Sequence, residues 1–224
     1  MSRVAAAARA AGREPNAIRL IAVTKYVDVA TTRLLVDAGC RDLGESRPQQ
    51  LWDKAAELSA LETSWHLIGH MQRNKLRRTL PLVHLLHSGD SLRLLQEANA
   101  EAGRAGIVRV PVLLEVNVSG DATKHGFGLE EVPRLADQLA TLSYLDVRGL
   151  MCMAGLEGNK DDARRDFAKL RLLSERLRGE WAGRFALNEL SMGMSGDFEA
   201  AIAEGSTMVR IGSALFEGLD ETAG

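Results

Sequence analysis

The amino-acid sequence predicts an α/β fold, a closed (β/α)8 barrel of the TIM type. Eight β-prone segments follow one another along the 224 residues, and each except the last is followed by a segment of helical spacing. Strict alternation of strands and helices is typical of a parallel sheet, and eight such units in a chain of this length close into a barrel. The alternative, an open doubly wound sheet, is disfavoured because no glycine-rich dinucleotide fingerprint follows any strand.

The predicted elements are bounded by residues that commonly begin or end strands and helices. Gly39 stops one helix, Pro81 precedes a strand, and Gly205 is placed to end the last helix in a left-handed conformation. The predicted strands are 19–24, 41–44, 64–69, 82–86, 110–118, 145–153, 187–190 and 207–211. The predicted helices are 2–11, 29–38, 49–58, 72–79, 92–105, 129–142, 161–178 and a short one ending at Gly205. We therefore expect one barrel domain over residues 1–224 with an N-terminal helix, which can close the ring after the last strand.

Polar residues gather where the predicted strands end, which is the face that carries the active site of a (β/α)8 barrel. These strand ends carry Lys25, Glu45, Ser46, Gly69, His70, His87, Ser88, Asn117, residues 151–153, residues 191–195 and residues 210–213. The loops after strands seven and eight form the phosphate site of many such barrels.

Small residues form two clusters, 191–196 and 212–213, in those last two loops. Small residues let backbone amides approach a ligand closely, and Arg210 adds a fixed positive charge between the clusters, which together predict a phosphate cup. In the simpler interpretation the glycines only serve turns and Ser195 only caps the following helix. The presence of two clusters around one arginine favours a phosphate-binding site over a purely structural role.

Lys25 ends a nearly apolar strand and shares a strand face with Ile21 and Val23, so we expect its side chain to point with the barrel interior. A neutral amine in such a place is a nucleophile towards carbonyl groups. The alternative is a lysine that reaches up to solvent from the strand end. A phosphorylated aldehyde would account for both the lysine and the phosphate cup, and pyridoxal 5′-phosphate is such a molecule.

Composition excludes several classes of function. The net charge of −2 gives no field that would recruit nucleic acid, and no apolar run is long enough to span a membrane. The N-terminus lacks the apolar core of a signal peptide. Cys40 and Cys152 are far apart and have no ligand spacing, so we expect buried thiols, a cytoplasmic protein and no metal site. His66 and His70 are four apart but no glutamate accompanies them, which disfavours a metal pair.

The ordered motifs along the chain resemble those of the pyridoxal phosphate homeostasis protein family. They are 20–25 (LIAVTK), 44–46 (GES), 65–75 (WHLIGHMQRNK), 117–119 (NVS), 124–127 (KHGF), 149–151 (GLM), 191–195 (SMGMS) and 209–212 (VRIG). The resemblance implies a fold-type III pyridoxal phosphate protein, similar to the barrel domain of alanine racemases. It implies that Lys25 carries the cofactor as a Schiff base, an internal aldimine. It also implies that Ser195, Arg210, Gly212 and Ser213 hold the phosphate end, with Arg210 close to the pyridine nitrogen.

Four further residues are expected to contact the cofactor, namely Ser46, His66, Ser191 and Met194. Ser46 stands where the family usually has Asn, so its ring-side contact differs. The resemblance implies a carrier or buffer of the cofactor with little or no catalysis. We expect a monomer whose partners are the cofactor and apo-enzymes that use it.

Two enzymatic alternatives remain open at this stage. An amino-acid racemase needs a second acid or base across the substrate, and the chain has only two tyrosines, of which Tyr26 follows Lys25 directly and should point away from it. A Schiff-base aldolase needs an acid beside Lys25, and Glu45 is the evident candidate.

Overall fold

The computed structural model describes residues 2–121, 123–155 and 160–216, and it confirms the closed parallel barrel. The strands are β1 Arg19–Val23, β2 Asp42–Glu45, β3 Ser64–Leu67, β4 Val83–Gly89, β5 Val110–Asn117, β6 Phe127–Gly128, β7 Leu145–Met151, β8 Glu189–Ser191 and β9 Met208–Ile211. The sheet order is β4-β3-β2-β1-β9-β8-β7-β5, and a β4–β5 pairing closes the ring. The two-residue β6 lies outside the ring and pairs only with β5.

Helices follow the strands in the expected alternation. They are α1 Ser2–Ala10, α2 Val29–Asp37, α3 Pro48–Glu57, α4 Leu76–Thr79, α5 Leu92–Arg104, α6 Ala136–Ala140, α7 Lys160–Glu180, α8 Phe198–Ala203 and α9 Ser213–Phe216. Short 3-10 turns span Pro15–Ala17, Arg73–Lys75 and Val132–Leu135. None of the helices in the described ranges is long and apolar enough to cross a membrane.

Two predicted helices are shorter than the sequence pattern indicated. Residues 129–142 were expected to form one helix, but the regular α-helix begins only at Ala136, after a 3-10 turn that contains Pro133. A proline cannot donate a backbone hydrogen bond and disfavours the α conformation of the residue before it. Residues 72–79 divide in the same way into the 3-10 turn Arg73–Lys75 and the helix Leu76–Thr79.

Apolar side chains fill the barrel lumen below the mouth. One buried cluster draws one residue from each of five barrel strands, Ile21, Leu85, Leu113, Met151 and Met208. Because side chains alternate along a strand, residues two positions further on in β1, β4, β5 and β9 form the next layer towards the mouth. That layer holds Val23, His87, Glu115 and Arg210.

The helix α1 closes the barrel wall beside the last strand. Its residues Val4 and Ala8 share a buried cluster with Phe198 and Ile202 of α8 and with Val209 and Ile211 of β9. This agrees with the expectation that the N-terminal helix covers the last strand.

Candidate functional site

A cavity of about 720 Å³ opens at the carboxyl ends of the barrel strands. Its walls are formed by residues at the carboxyl ends of β1 and β9 and by residues that follow β1, β2, β3, β7, β8 and β9. These are Val23, Lys25, Tyr26, Val27, Ser46, Ile68, Gly69, Met153, Met194, Ser195, Gly196, Arg210, Gly212, Ser213 and Phe216. Seven of the nine predicted cofactor-binding residues therefore lie in one wall, while His66 and Ser191 lie below the cavity.

Lys25 lies in a turn and not in the strand. β1 ends at Val23, and the half-buried Lys25 places its Nζ 4.8 Å from the centroid of the Tyr26 ring. The expectation that Tyr26 points away from Lys25 is wrong, because the alternation of side chains stops where the strand stops. Tyr26 is 86% exposed, so the Lys25 amine lies at the boundary between the cavity and solvent.

A buried ion pair supports the turn that carries Lys25. Lys54 Nζ donates to the Thr24 carbonyl at 2.6 Å and lies 2.6 Å from Glu45 Oε1. Thr24 Oγ1 donates to the same carboxylate oxygen at 2.7 Å. Glu45 is fully buried outside the cavity wall, so it does not stand beside Lys25 as an aldolase acid would. The sequence signal for this pair is a lysine on the apolar face of α3.

The loops after β8 and β9 are joined by Ser195. Its Oγ accepts a hydrogen bond from the amide of Gly212 at 3.3 Å, so Ser195 does not cap the following helix as expected. Asp197 occupies the N-cap position of α8, but its carboxylate bonds backwards, accepting from the Met194 amide at 2.5 Å, and makes no capping hydrogen bond within the described residues. Within the described part of the chain, the backbone amides of Gly196 and Ser213 have no acceptor. These two amides, together with the amide and the hydroxyl of Ser195, are free donors of the predicted phosphate cup.

Arg210 is a buried cation in the floor of the cavity. Its Nη1 donates to the Ser191 carbonyl at 2.9 Å and to Ser191 Oγ at 2.6 Å, and its Nη2 donates to the Cys152 carbonyl at 2.9 Å. These acceptors are neutral oxygens. Burial lowers the pKa of the Arg210 guanidinium, against the nearby Cys152, Asp197 and Glu115 groups, which raise it. The guanidinium is therefore fixed in position, and no carboxylate from the described part of the chain contacts it directly.

Two acidic side chains lie near this cation. Burial, followed by the charge of Asp90, raises the pKa of Glu115 to about 7, although Arg210 opposes the shift. Burial also raises the pKa of Asp197, against its hydrogen bond from Met194 and the charge of Arg210. Glu115 is 5% exposed, and no hydrogen bond to its side chain occurs within the described ranges. Sequence reasoning noted neither residue as an electrostatic neighbour of Arg210.

His66 and His87 are fully buried beneath the cavity. His87 lies in the same lumen layer as Arg210, and its ring nitrogens bond to His66 and Ser191. His66 lies in β3 next to Gly44 of β2, and its ring nitrogens bond to His87 and Asp42. Neither histidine is in the cavity wall.

His70 and His125 stack at the outer edge of the same barrel face. Their rings are 4.2 Å apart and nearly parallel, and His70 Nδ1 lies 2.8 Å from Asp90 Oδ2. Ligand atoms of the three residues come within 4.8 Å of one another. Parallel rings do not direct their nitrogens at one point between them, so the arrangement is a stack with a hydrogen bond.

Comparison with known families and relatives matches nearly the whole chain. Residues 3–220 match the family described as "Alanine racemase, N-terminal domain". The "Pyridoxal phosphate homeostasis protein" of Pseudomonas aeruginosa is 42% identical over 219 residues, which are 98% of this chain and 92% of that protein. The protein of the same name from Aquifex aeolicus is 39% identical over 216 residues, 96% of this chain and 93% of that one.

Solved structures show the same fold. PipY of Synechococcus elongatus PCC7942, solved with PLP bound, is 35% identical with a TM-score of 0.85, covering 95% of this chain and 99% of that one. Alanine racemase of Clostridium difficile 630 is 18% identical with a TM-score of 0.73, covering 96% of this chain and 56% of the racemase. At that identity the racemase supports the barrel fold alone.

Proposed function

Since the chain belongs to the pyridoxal phosphate homeostasis protein family, we propose that it binds pyridoxal 5′-phosphate reversibly at the barrel mouth and carries or buffers that cofactor. One observation carries the proposal: a single cavity combines a lysine amine, free backbone amides and a buried guanidinium. Pyridoxal phosphate supplies an aldehyde, which condenses reversibly with a primary amine and releases water, and a phosphate dianion. The cavity volume suits a ligand of this size.

In this proposal each group in the wall has one task. Lys25 Nζ forms the covalent bond to the aldehyde carbon. The Ser195 hydroxyl and the amides of Gly196 and Ser213 donate hydrogen bonds to the phosphate, because small residues leave these donors accessible. Arg210, whose two Nη atoms are already held by protein oxygens, would approach the pyridine nitrogen of the ligand, a role that departs from the expectation that Arg210 holds the phosphate end.

Two features of the cavity support a carrier role, the guanidinium in its floor and the exposed position of the Lys25 amine. A guanidinium beside a pyridine nitrogen disfavours protonation of that nitrogen, and an unprotonated ring stabilises a carbanion less well. The Lys25 amine lies beside the exposed Tyr26, where water and ligand can reach it. Both features favour reversible loading and release over turnover of amino acids.

The two enzymatic alternatives lack support from the described residues. A racemase needs an acid or base on the face opposite Lys25. Tyr26 lies beside Lys25, and Tyr144 packs near Gly103 of α5, away from the cavity. For an aldolase, the Glu45 carboxylate is held by Lys54 and Thr24 outside the cavity. The recipients that we propose are apo-enzymes using the same cofactor. The cytoplasmic location and the monomeric state stay predictions from the sequence.

Two assays on one preparation test carrier against enzyme. The loaded protein is mixed with an apo pyridoxal phosphate enzyme and the recovered activity is followed. The same preparation is incubated with L-amino acids, whose enantiomers are then separated and quantified. We expect reactivation of the apo-enzyme and negligible formation of D-amino acids. Rapid racemisation that depends on Lys25, without transfer of cofactor, would replace the carrier with a racemase.

A further inference from the structure

A chain of hydrogen bonds crosses the barrel lumen beneath the cavity. His66 Nε2 lies 3.0 Å from Asp42 Oδ1, and His66 Nδ1 lies 2.9 Å from His87 Nε2. His87 Nδ1 lies 2.9 Å from Ser191 Oγ, which accepts from Arg210 Nη1 at 2.6 Å. The chain thus runs through β2, β3, β4, β8 and β9. It connects a partly exposed carboxylate at the amino end of the barrel with the guanidinium in the cavity floor.

The two ends of this chain fix the direction of every hydrogen bond in it. A guanidinium can only donate, and an ionised carboxylate can only accept. Ser191 Oγ accepts from Arg210, and within the described residues its hydroxyl proton has one acceptor, His87 Nδ1. His87 must then donate from Nε2 to His66 Nδ1, and His66 must donate from Nε2 to Asp42. Both imidazoles are neutral and carry their proton on Nε2.

The surroundings of the four residues agree with this assignment. Burial lowers the pKa of His66, although Asp42 offsets part of the effect, and burial keeps the pKa of His87 well below its usual value. Burial alone would raise the pKa of Asp42, but the hydrogen bond from His66 and the charge of Arg19 act against burial, and the pKa is lowered. The middle of the chain is therefore neutral and its far end is an anion.

We infer that Asp42, His66, His87 and Ser191 act as positioning residues that hold the Arg210 guanidinium for the ring end of the ligand, an inference that rests on the proposed function. Without the chain, Ser191 Oγ and Nη1 of Arg210 would be free to change partners. With it, the guanidinium has one orientation, and the polarised bonds extend its interaction as far as the Asp42 carboxylate. The amino end of the barrel, remote from the cavity, thereby becomes part of the binding site.

The direct test is nuclear magnetic resonance of the ¹⁵N-labelled protein without ligand. The bond from His87 Nε2 to His66 Nδ1 joins two nitrogens, so it gives a nitrogen–nitrogen coupling across the hydrogen bond. We expect this coupling in the wild type, with the proton attached to His87. Absence of the coupling, or a proton attached to His66 Nδ1, would overturn the directed chain.

Three variants test whether Asp42 anchors the chain. In Asp42→Ala the coupling should disappear, because His66 loses its acceptor. In Asp42→Asn it should persist, since an amide oxygen still accepts. Asp146→Ala is the matched control, because Asp146 lies at the same barrel end and its side chain is 28% exposed, against 27% for Asp42. Persistence of the coupling in Asp42→Ala, or its loss in Asp146→Ala, contradicts the inference.

Affinity for pyridoxal phosphate then tests the positioning role. Asp42→Ala should weaken binding roughly three- to tenfold, the effect of losing about one hydrogen bond, while Asp146→Ala should bind as the wild type does. Loss of the coupling in Asp42→Ala with unchanged affinity would refute positioning and leave the proposed function intact. Failure of the wild type to bind pyridoxal phosphate would refute the proposed function, and the coupling would still report on the hydrogen-bond chain.

Discussion

The buried ion pair Lys54–Glu45 supports the turn that carries Lys25. Of the contacts that support this turn, we expect the loss of this ion pair to lower the free energy of unfolding most. The two side chains are 6% and 0% exposed, and Nζ and Oε1 lie 2.6 Å apart. Among the described residues, Glu45 Oε2 already has no hydrogen-bond partner. In Lys54→Met the carboxylate keeps, of its donors in the described ranges, only the Thr24 hydroxyl, and an uncompensated charge remains in the interior.

The expected cost follows from that geometry. Breaking a buried pair by removing one partner costs about 3–5 kcal/mol, whereas replacing both partners by apolar groups is often neutral or stabilising. Lys54→Met should therefore lower the free energy of unfolding by about 3–5 kcal/mol, and adding Glu45→Leu should recover most of this loss. Urea denaturation of the wild type, both single variants and the double variant gives the coupling energy.

An exposed pair supplies the matched control. Arg176 and Glu180 lie 2.7 Å apart on α7, with side chains 52% and 43% exposed. The same cycle on this pair should give only about 0.3–0.5 kcal/mol, as for other exposed pairs four residues apart. A coupling energy at Lys54–Glu45 as small as that of the exposed pair would refute the argument that burial makes this interaction strong.

Three further predictions use single side chains. The pKa of Glu115 rises from 4.5 to about 7 on folding. The free energy of unfolding therefore falls as the pH rises through that interval, because the unfolded state ionises first, and the loss of stability is complete above it. In urea titrations, the free energy of unfolding of Glu115→Gln should thus equal that of the wild type near pH 4 and exceed it near pH 8 by at most roughly 3 kcal/mol. An equal difference between the two proteins at both pH values would contradict the raised pKa of Glu115. Ser195→Ala should weaken binding of pyridoxal phosphate about five- to tenfold, measured by fluorescence titration. Unchanged affinity would show that the Ser195 hydroxyl does not bind the phosphate. Gly149→Ala should destabilise the barrel severely, because the added Cβ would lie 1.8 Å from the Glu189 carbonyl oxygen. In Gly179→Ala the added Cβ would meet no described atom within 4 Å, so this variant should raise the thermal midpoint slightly. Similar thermal midpoints for the two variants would contradict this prediction.

The fold could be predicted from the sequence because its signal is repeated. Eight alternating units each carry an apolar strand pattern, so an error of a few residues at one strand end does not change the topology. The misjudged segment 129–142 was a matter of local backbone, where Pro133 delays the helix although the apolar spacing suggests an earlier start. The short β6 has two residues, too few for any periodicity.

The cavity wall could be predicted in large part because strand ends converge at one face of a barrel. The arrangement of side chains below the cavity could not be predicted, because it depends on which interior layer of the barrel each side chain occupies. His66 and Ser191 lie beneath the cavity and not in its wall, so their contact with the ligand stays a prediction. Lys54 was missed because its partners, Thr24 and Glu45, belong to other elements of the barrel.

The most direct test of the central claim is reduction of the loaded protein with borohydride, followed by peptide mass spectrometry. The claim predicts an absorbance band of bound pyridoxal phosphate that borohydride abolishes, and a stable adduct on Lys25 in the tryptic digest. Lys25→Ala should show neither the band nor the adduct at stoichiometric occupancy, while Lys54→Met should still form the adduct on Lys25. A reducible band at full occupancy in Lys25→Ala, or a wild-type adduct on another lysine, would contradict the claim.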